Sequence, residues 1–216
     1  MEKPDVTMMI LVHDAFRRDV RRLRAVAGQA AGDPAVFDAL CAGWDTFRRY
    51  LIVHHTAEDD VLWPVLRAEL ADRPDRGPLL DAMVDEHAQL DPIMAEIDAA
   101  LSQRSVADLV ARFDALGRVL VFHLDHEEVE VLPLVRDTLT PSEWKVFGDD
   151  QRRRVGLRGG SRFFPWLLDG ASPEGVAHAL ALLPPPLRLV YRFVWRPRYE
   201  RRSPWPWQFL SPSGAG

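Results

Sequence analysis

The stretch His54-His55-Thr56-Ala57-Glu58-Asp59-Asp60-Val61-Leu62-Trp63-Pro64 returns later in the chain as His123-Leu124-Asp125-His126-Glu127-Glu128-Val129-Glu130-Val131-Leu132-Pro133. Both copies place a Glu four residues after a His and a Pro six residues after the Glu. Residues four apart on an α-helix project from one face, one turn apart, so each copy sets an imidazole beside a carboxylate. Both copies also lie inside long stretches whose apolar residues recur with helical period. A chain that buries two such faces must give them a common partner, because unpaired polar groups in an apolar interior are costly.

The surrounding pattern predicts an all-α fold: an up-down antiparallel four-helix bundle with an appended C-terminal extension of short helices, rich in Pro, Trp and Arg. Met9, Val12, Phe16, Val20 and Leu23 share one face of a first helix over 6–30. Asp33-Pro34 reads as an N-cap followed by proline at the first helical position, opening a second helix to about Leu70 that Pro64 should kink. After the loop from Asp72 to Pro78, a third helix runs from Leu79 to Leu101 despite Pro92. Ser105 with Asp108 resembles a capping box for a fourth helix reaching about Leu139. Thr140-Pro141-Ser142-Glu143 starts a short fifth helix to about Arg154. No segment here alternates like a strand, and the loops are short, so neighbouring helices should be antiparallel. Residues 1–155 are therefore read as the bundle and 156–216 as the extension, entered through Gly156–Gly160, with short helices after Ser172-Pro173-Glu174 and after Pro186.

Helix arithmetic brings the polar residues to one height. At 1.5 Å per residue, His13 lies about 26 Å from the end of the first helix and His54 about 32 Å from the start of the second. On the same arithmetic, His87 stands about 22 Å before the turn between the third and fourth helices and His123 about 27 Å beyond it. One layer thus collects His13, His54, Glu58, His87, His123 and Glu127. Any single His–Glu pair at this spacing is ordinarily a surface contact, and a lone core His is ordinarily hydrogen-bonded. Six such groups at one level of four helices instead call for compensating cations. Imidazole suits iron, zinc or copper, and a carboxylate can bridge two ions.

Spacing disfavours two metal-protein patterns. No Glu has a His three positions on, as a ferritin-like site needs, and Glu130 stands where a zinc-protease helix needs its second His. The pattern that remains resembles the hemerythrin-like family, also called the HHE cation-binding domain: a His on the first helix, His-x-x-x-Glu on the second, a His on the third and His-x-x-x-Glu on the fourth. The resemblance covers about residues 6–138. It implies a non-heme centre of two Fe ions with an oxo or hydroxo bridge, ligated by His13, His54, Glu58, His87, His123 and Glu127, with Mn or Zn tolerated by the same donors. It further implies binding of dioxygen or a related small molecule, in a family whose members are oxygen carriers, sensors, or enzymes acting on peroxide, nitric oxide or organic substrates. Redox processing of dioxygen or peroxide is the expected function, with a non-catalytic sensor or carrier as the alternative. One departure is visible. Oxygen-carrying hemerythrins present two His on the third helix, whereas Met83 and Asp91 flank His87 one turn away, so an open or water-filled position is expected.

Around this layer, His55, His126 and Glu130 are spare polar groups, and Tyr50 lies one turn before His54, where a phenol could ligate iron or donate to bound peroxide. Met9, Phe16, Phe47, Leu51 and Phe122 are the candidates to exclude water. The lone Cys41 cannot pair within the chain and fits a reducing compartment, so the cytoplasm is expected; no apolar run is long enough for a spanning helix. From Gln151 onward eleven Arg face three acids, +8, which leaves −13 on residues 1–150. Three roles are open to this basic tail: docking on the acidic body, homodimer contact, or an anionic membrane surface. Docking or dimer contact is preferred, and nucleic acid is disfavoured because no binding motif accompanies the arginines.

Overall fold

The computed structural model describes residues 2–156, 159–203 and 205, and among these every regular element is helical. Pro204, Pro206 and Trp207 of the Pro/Trp-rich tail lie outside the described residues. Helix α1 is Thr7–Ala27, α2 Pro34–Ala57, α3 Trp63–Glu69, α4 Gly77–Ser102, α5 Leu109–His126, α6 Leu132–Thr138 and α7 Pro141–Val155. The packing is that of a helical bundle: α1 lies against α2 and α5, α5 against α4, and α4 returns to α2. Two of the expected helix starts form as the sequence writes them. The Asp33 side chain accepts from the Ala35 N–H at 2.8 Å with Pro34 following, and Thr140 and Glu143 make a reciprocal capping box.

The expected box at Ser105 does not form. Helix α4 ends on Arg104 with φ 52°, whose N–H reaches the Leu101 carbonyl, while the Ser105 N–H returns to Ala100. This closing motif uses Ser105 to finish α4, so α5 starts four residues later without a side-chain cap.

The prolines of the repeated motif have a structural outcome of their own. The irregularity expected at Pro64 takes the form of a π turn, Glu58–Leu62, in which the Trp63 N–H bonds the Glu58 carbonyl five residues back. An identical turn spans Glu127–Val131 ahead of Pro133, closed by the Leu132 N–H on Glu127. Proline offers no N–H to the carbonyl one turn behind it and collides with that carbonyl; widening the turn by one residue relieves both problems. Pro92, exposed within α4, leaves its helix regular, so proline alone does not dictate the widening. Both π turns begin at the Glu of the motif, at the boundary between two apolar clusters. One contains Phe16, Leu40, Trp44, Phe47, Leu51, Phe113 and Leu120; the other contains Met9, Leu62, Trp63, Leu66, Met83 and Val135. A polar layer separates them.

The extension folds back on the same chain through α8 (Gly160–Leu167), α9 (Pro173–Ala181), α10 (Pro185–Val190), a third π turn (Tyr191–Trp195) and α11 (Arg196–Arg202), with α8 and α9 against α1. Trp166 is its anchor: the ring is buried, and its Nε1–H donates to Asp19 at 2.7 Å. Arg18 of α1 donates to the Trp166 carbonyl and to Asp19, while Arg22 donates to Asp169. Gly43 sits mid-helix in α2 where a Cβ would run into the Trp205 ring, so its absence makes room for that side chain. Arg154, counted with the basic tail, donates to Asp60 of the body at 2.8 Å as docking would require, but the seam around Trp166 carries the opposite arrangement. Arginines of the body grip an acid of the extension, and most of the extension's own arginines stay outside.

Candidate metal centre

Helices α1, α2, α4 and α5 deliver the six predicted residues to one buried layer, with His13, Glu58, His123 and Glu127 fully enclosed and His54 and His87 nearly so. The ring nitrogens are divided by function. Each Nδ1 faces an outer partner: His13 has Glu128 at 2.8 Å, His87 has Asp59 at 2.9 Å, His123 has Glu86 at 3.0 Å, and His54 has the Gln151 amide at 3.3 Å. A carboxylate only accepts, so at His13, His87 and His123 it holds the proton on Nδ1 and leaves Nε2 as a bare lone pair, whereas at His54 the Gln151 amide nitrogen faces Nδ1. All four Nε2 atoms turn inward. The Nε2 atoms of His13 and His54 are 3.1 Å apart, as are those of His87 and His123.

The carboxylates make the same point. Glu58 sends one oxygen to within 3.0 Å of His54 Nε2 and the other to within 3.4 Å of His87 Nε2, and Glu127 lies 3.2 Å from His13 Nε2. All four of these oxygens are buried without a hydrogen bond, as is His55 Nε2; together they are half of the buried side-chain polar atoms so orphaned among the described residues. Acceptors facing acceptors repel, and burial without partners costs several kcal/mol per group. Cations between them remove both costs, so the donor set fits metal. Two groupings could each hold an ion: His13, His54, Glu58 and Glu127, and His55, His87, His123 and Glu58. Glu58 belongs to both.

His55 was not among the predicted ligands. Buried and stacked on His87 at 3.9 Å with an 11° tilt, it supplies an imidazole on the side where the third helix lacks a second His. Met83 is buried and Asp91 exposed, so the position expected to be open has a ring beside it. Of the spare groups, His126 donates to Glu86 at 2.7 Å, and Glu86 thereby joins His126 to His123; Glu130 is exposed. Tyr50 is buried, but its ring contacts run to Phe163 and Trp166 of the extension, and burial pushes its phenol up to about 12. Met9, Phe16, Phe47 and Leu51 are buried as expected of water-excluding residues, whereas Phe122 is 63% exposed and excludes nothing. It sits on the outer side of α5, one residue before the inward-facing His123.

The outer partners Asp59 and Glu128 went unpredicted although the motif carries them: an acid follows the ligand Glu in both copies, and each crosses to the His of a neighbouring helix. Glu86 precedes His87, but Val12 occupies the matching place before His13, so the two halves differ. The gap behind His54 is filled from α7 by Gln151, which no helix-by-helix pattern reveals.

Electrostatics divides the layer further. Burial, then Glu127 and Asp59, raise the Glu58 carboxyl well above its usual range, whereas Glu127 is held low because His13, with His123 and His87 behind it, outweighs its burial. His54 and His55 are pushed well below the usual imidazole value by burial and then by the charge of the surrounding histidines, His13 foremost for His54 and His87 foremost for His55. His13 goes the other way: burial opposes its protonation, but Glu127 and Glu128 together overcome that. Metal-free protein therefore holds extra protons on Glu58 and His13, and the stability they lend is present below their ordinary values and lost as pH rises through the raised ones. Metal entry must expel these protons. Cation affinity is expected to rise from pH 6 to pH 8 by about tenfold per pH unit for each proton still bound, with proton release visible to an indicator dye in weak buffer. Flat affinity across that range would contradict the assignment.

A family model described as the hemerythrin HHE cation binding domain matches residues 5–135. Comparison with curated proteins found no match, and neither did comparison with solved structures.

Proposed function

Because this chain belongs to the hemerythrin HHE cation-binding domain family, we propose that it is a non-heme di-iron protein that binds dioxygen or peroxide and processes it by electron transfer, on a four-helix bundle of up-down course. The observation that supports this most is the pair of lone-pair clusters sharing Glu58, since a carboxylate whose two oxygens face two different imidazole groups is arranged to bridge two cations. His13, His54 and Glu127 would hold one ion, and His55, His87 and His123 the other. When bound, a pair of irons supplies two-electron redox chemistry together with Lewis acidity.

The remaining work falls to the chain. Asp59, Glu86, Glu128 and Gln151 fix the ring planes and keep every Nε2 turned inward. Arg17 donates to Glu128 at 2.7 Å and tempers the charge behind His13. Phe16, Phe47 and Leu51 above the layer and Met9, Trp63 and Met83 below it keep bulk water away. A second reading, a non-catalytic oxygen, iron or redox sensor or carrier, draws support from one run of contacts. Phe16 touches the His54 ring at 5.4 Å and the Trp166 ring at 5.5 Å, linking the layer to the extension.

Metal analysis joined to optical spectra of the reduced protein, before and after oxygen and peroxide, tests both. Two irons per chain with oxygen or peroxide consumed in repeated turnover is the expected result. A stable, reversible oxygen spectrum without turnover would favour the sensor or carrier, and fewer than about one tightly held ion per chain would overturn the di-iron reading.

A further inference from the structure

The extension presents two unlike sides. From Pro185 to Arg202, α10, the π turn and α11 follow one another without a break. Tyr191, Trp195 and Tyr199, each four residues apart, pack inward against the main core. The outward side leaves Leu187 (37%), Leu189 (60%), Phe193 (67%) and Val194 (52%) in solvent, with Leu182 (59%) at the end of α9 beside them in sequence. Single exposed apolar residues are ordinary, but half of the exposed large hydrophobic residues among those described fall between Leu182 and Val194. Positive charge is interleaved with them. Arg192, Arg198, Arg201 and Arg202 are exposed and have no carboxylate partner among the described residues, and the Arg192 guanidinium lies 5.5 Å from the Phe193 ring. Glu200 is the only acid on this run, and Arg196 neutralises it at 2.7 Å.

We propose that this face is a peripheral docking surface for an anionic lipid bilayer, with the run from Pro185 to Arg202 lying in the plane of the headgroups. Charge complementarity selects the occupant. Unpaired guanidiniums meet lipid phosphates bidentately, while leucine, phenylalanine and valine on the same side enter the acyl boundary just beneath. The apolar side chains project from a convex helix, which a fluid boundary accommodates without any matching cavity. The −13 body is repelled by the same lipids, so it holds the rest of the molecule off the surface and leaves the extension as the approaching part. No helix among the described residues is long and apolar enough to cross a membrane, and the contact proposed is interfacial. It depends on no property of the metal centre.

Flotation of the full-length protein with vesicles tests the proposal, comparing phosphatidylcholine alone with equal parts phosphatidylcholine and phosphatidylglycerol. Partition onto the anionic vesicles is expected to exceed that onto the neutral ones by at least about tenfold and to collapse in high salt. Paired substitution of Phe193→Ser and Val194→Ser should weaken it about tenfold, and Arg192→Glu about fivefold or more, with helix content by circular dichroism unchanged. Equal partition onto both vesicle types would overturn the proposal, as would variants that bind like the parent. So would sedimentation showing a dimer that the Phe193→Ser, Val194→Ser variant dissolves, because a second copy would then cover this face.

Discussion

For the two-ion centre proposed above, replacing Glu58 by Gln is expected to reduce bound metal from two ions per chain to fewer than one, the largest single-residue effect on the centre. Glu58 is the one side chain common to both groupings, and each of its oxygens faces a different imidazole, His54 or His87. An amide of the same shape keeps one acceptor but forfeits the charge that offsets two cations. Glu127→Gln, which touches only the grouping of His13 and His54, should leave about one ion bound. The same substitution has the opposite effect on the empty protein. Burial beside Glu127 makes an ionised Glu58 unfavourable, so at pH 8 the metal-free Glu58→Gln protein should melt above the metal-free parent. With iron at 100 times its dissociation constant the parent gains about 2.7 kcal/mol for each ion bound, roughly 5–10 °C apiece in a chain of this size, and the order reverses. Metal content by mass spectrometry and calorimetric melting in both states check this. Two ions retained after Glu58→Gln would remove the bridging role.

Trp166→Ala is expected to cost about 3–5 kcal/mol, or on the order of 10–15 °C in melting temperature. Trp166 is fully buried, lies 4.4 Å from the Tyr50 ring and 5.5 Å from that of Phe16, and donates to Asp19, itself wholly enclosed. Its loss opens a cavity and takes one donor from a buried carboxylate that still holds Arg18. Asp19→Leu attacks the same seam from the other side, taking the carboxylate from the Arg18 guanidinium and the acceptor from the indole N–H, and should cost a similar amount. Because the two residues share one network, the double variant should fall well short of the sum. Limited proteolysis should then cut within the extension before the bundle. A Trp166→Ala protein that melts within about 1 kcal/mol of the parent would show the extension to be loosely held.

How much of this was legible beforehand depends on the range of the interaction. Helical period and the i,i+4 pairs gave the helices and brought six candidate ligands to one height, because both are set within a single helix. Groups whose role depends on a neighbouring helix were hidden. His55 reads as a spare polar neighbour of His54 until α4 is packed against α2 and places His87 under its ring. Gln151 carries no signal at all; it matters because α7 folds across α2 and reaches a nitrogen that Val12 leaves unpartnered. Tyr50 shows the converse, since its register on α2 matches the candidate ligands while its ring packs on the extension. Ser105 misled because closing one helix and opening the next call on the same residue types.

The widened turns carry a lesson for anyone wishing to transplant this centre. Each adds one residue to its rod at the level of the ligands, so the inward-facing positions below are counted from a new origin: Leu40, Trp44, Phe47 and Leu51 keep one phase and Leu62 and Leu66 another. An idealised scaffold of uninterrupted heptads, given the ligands alone, would have its lower half rotated out of register. The graft has to include the surplus residue in both rods along with the imidazoles and acids.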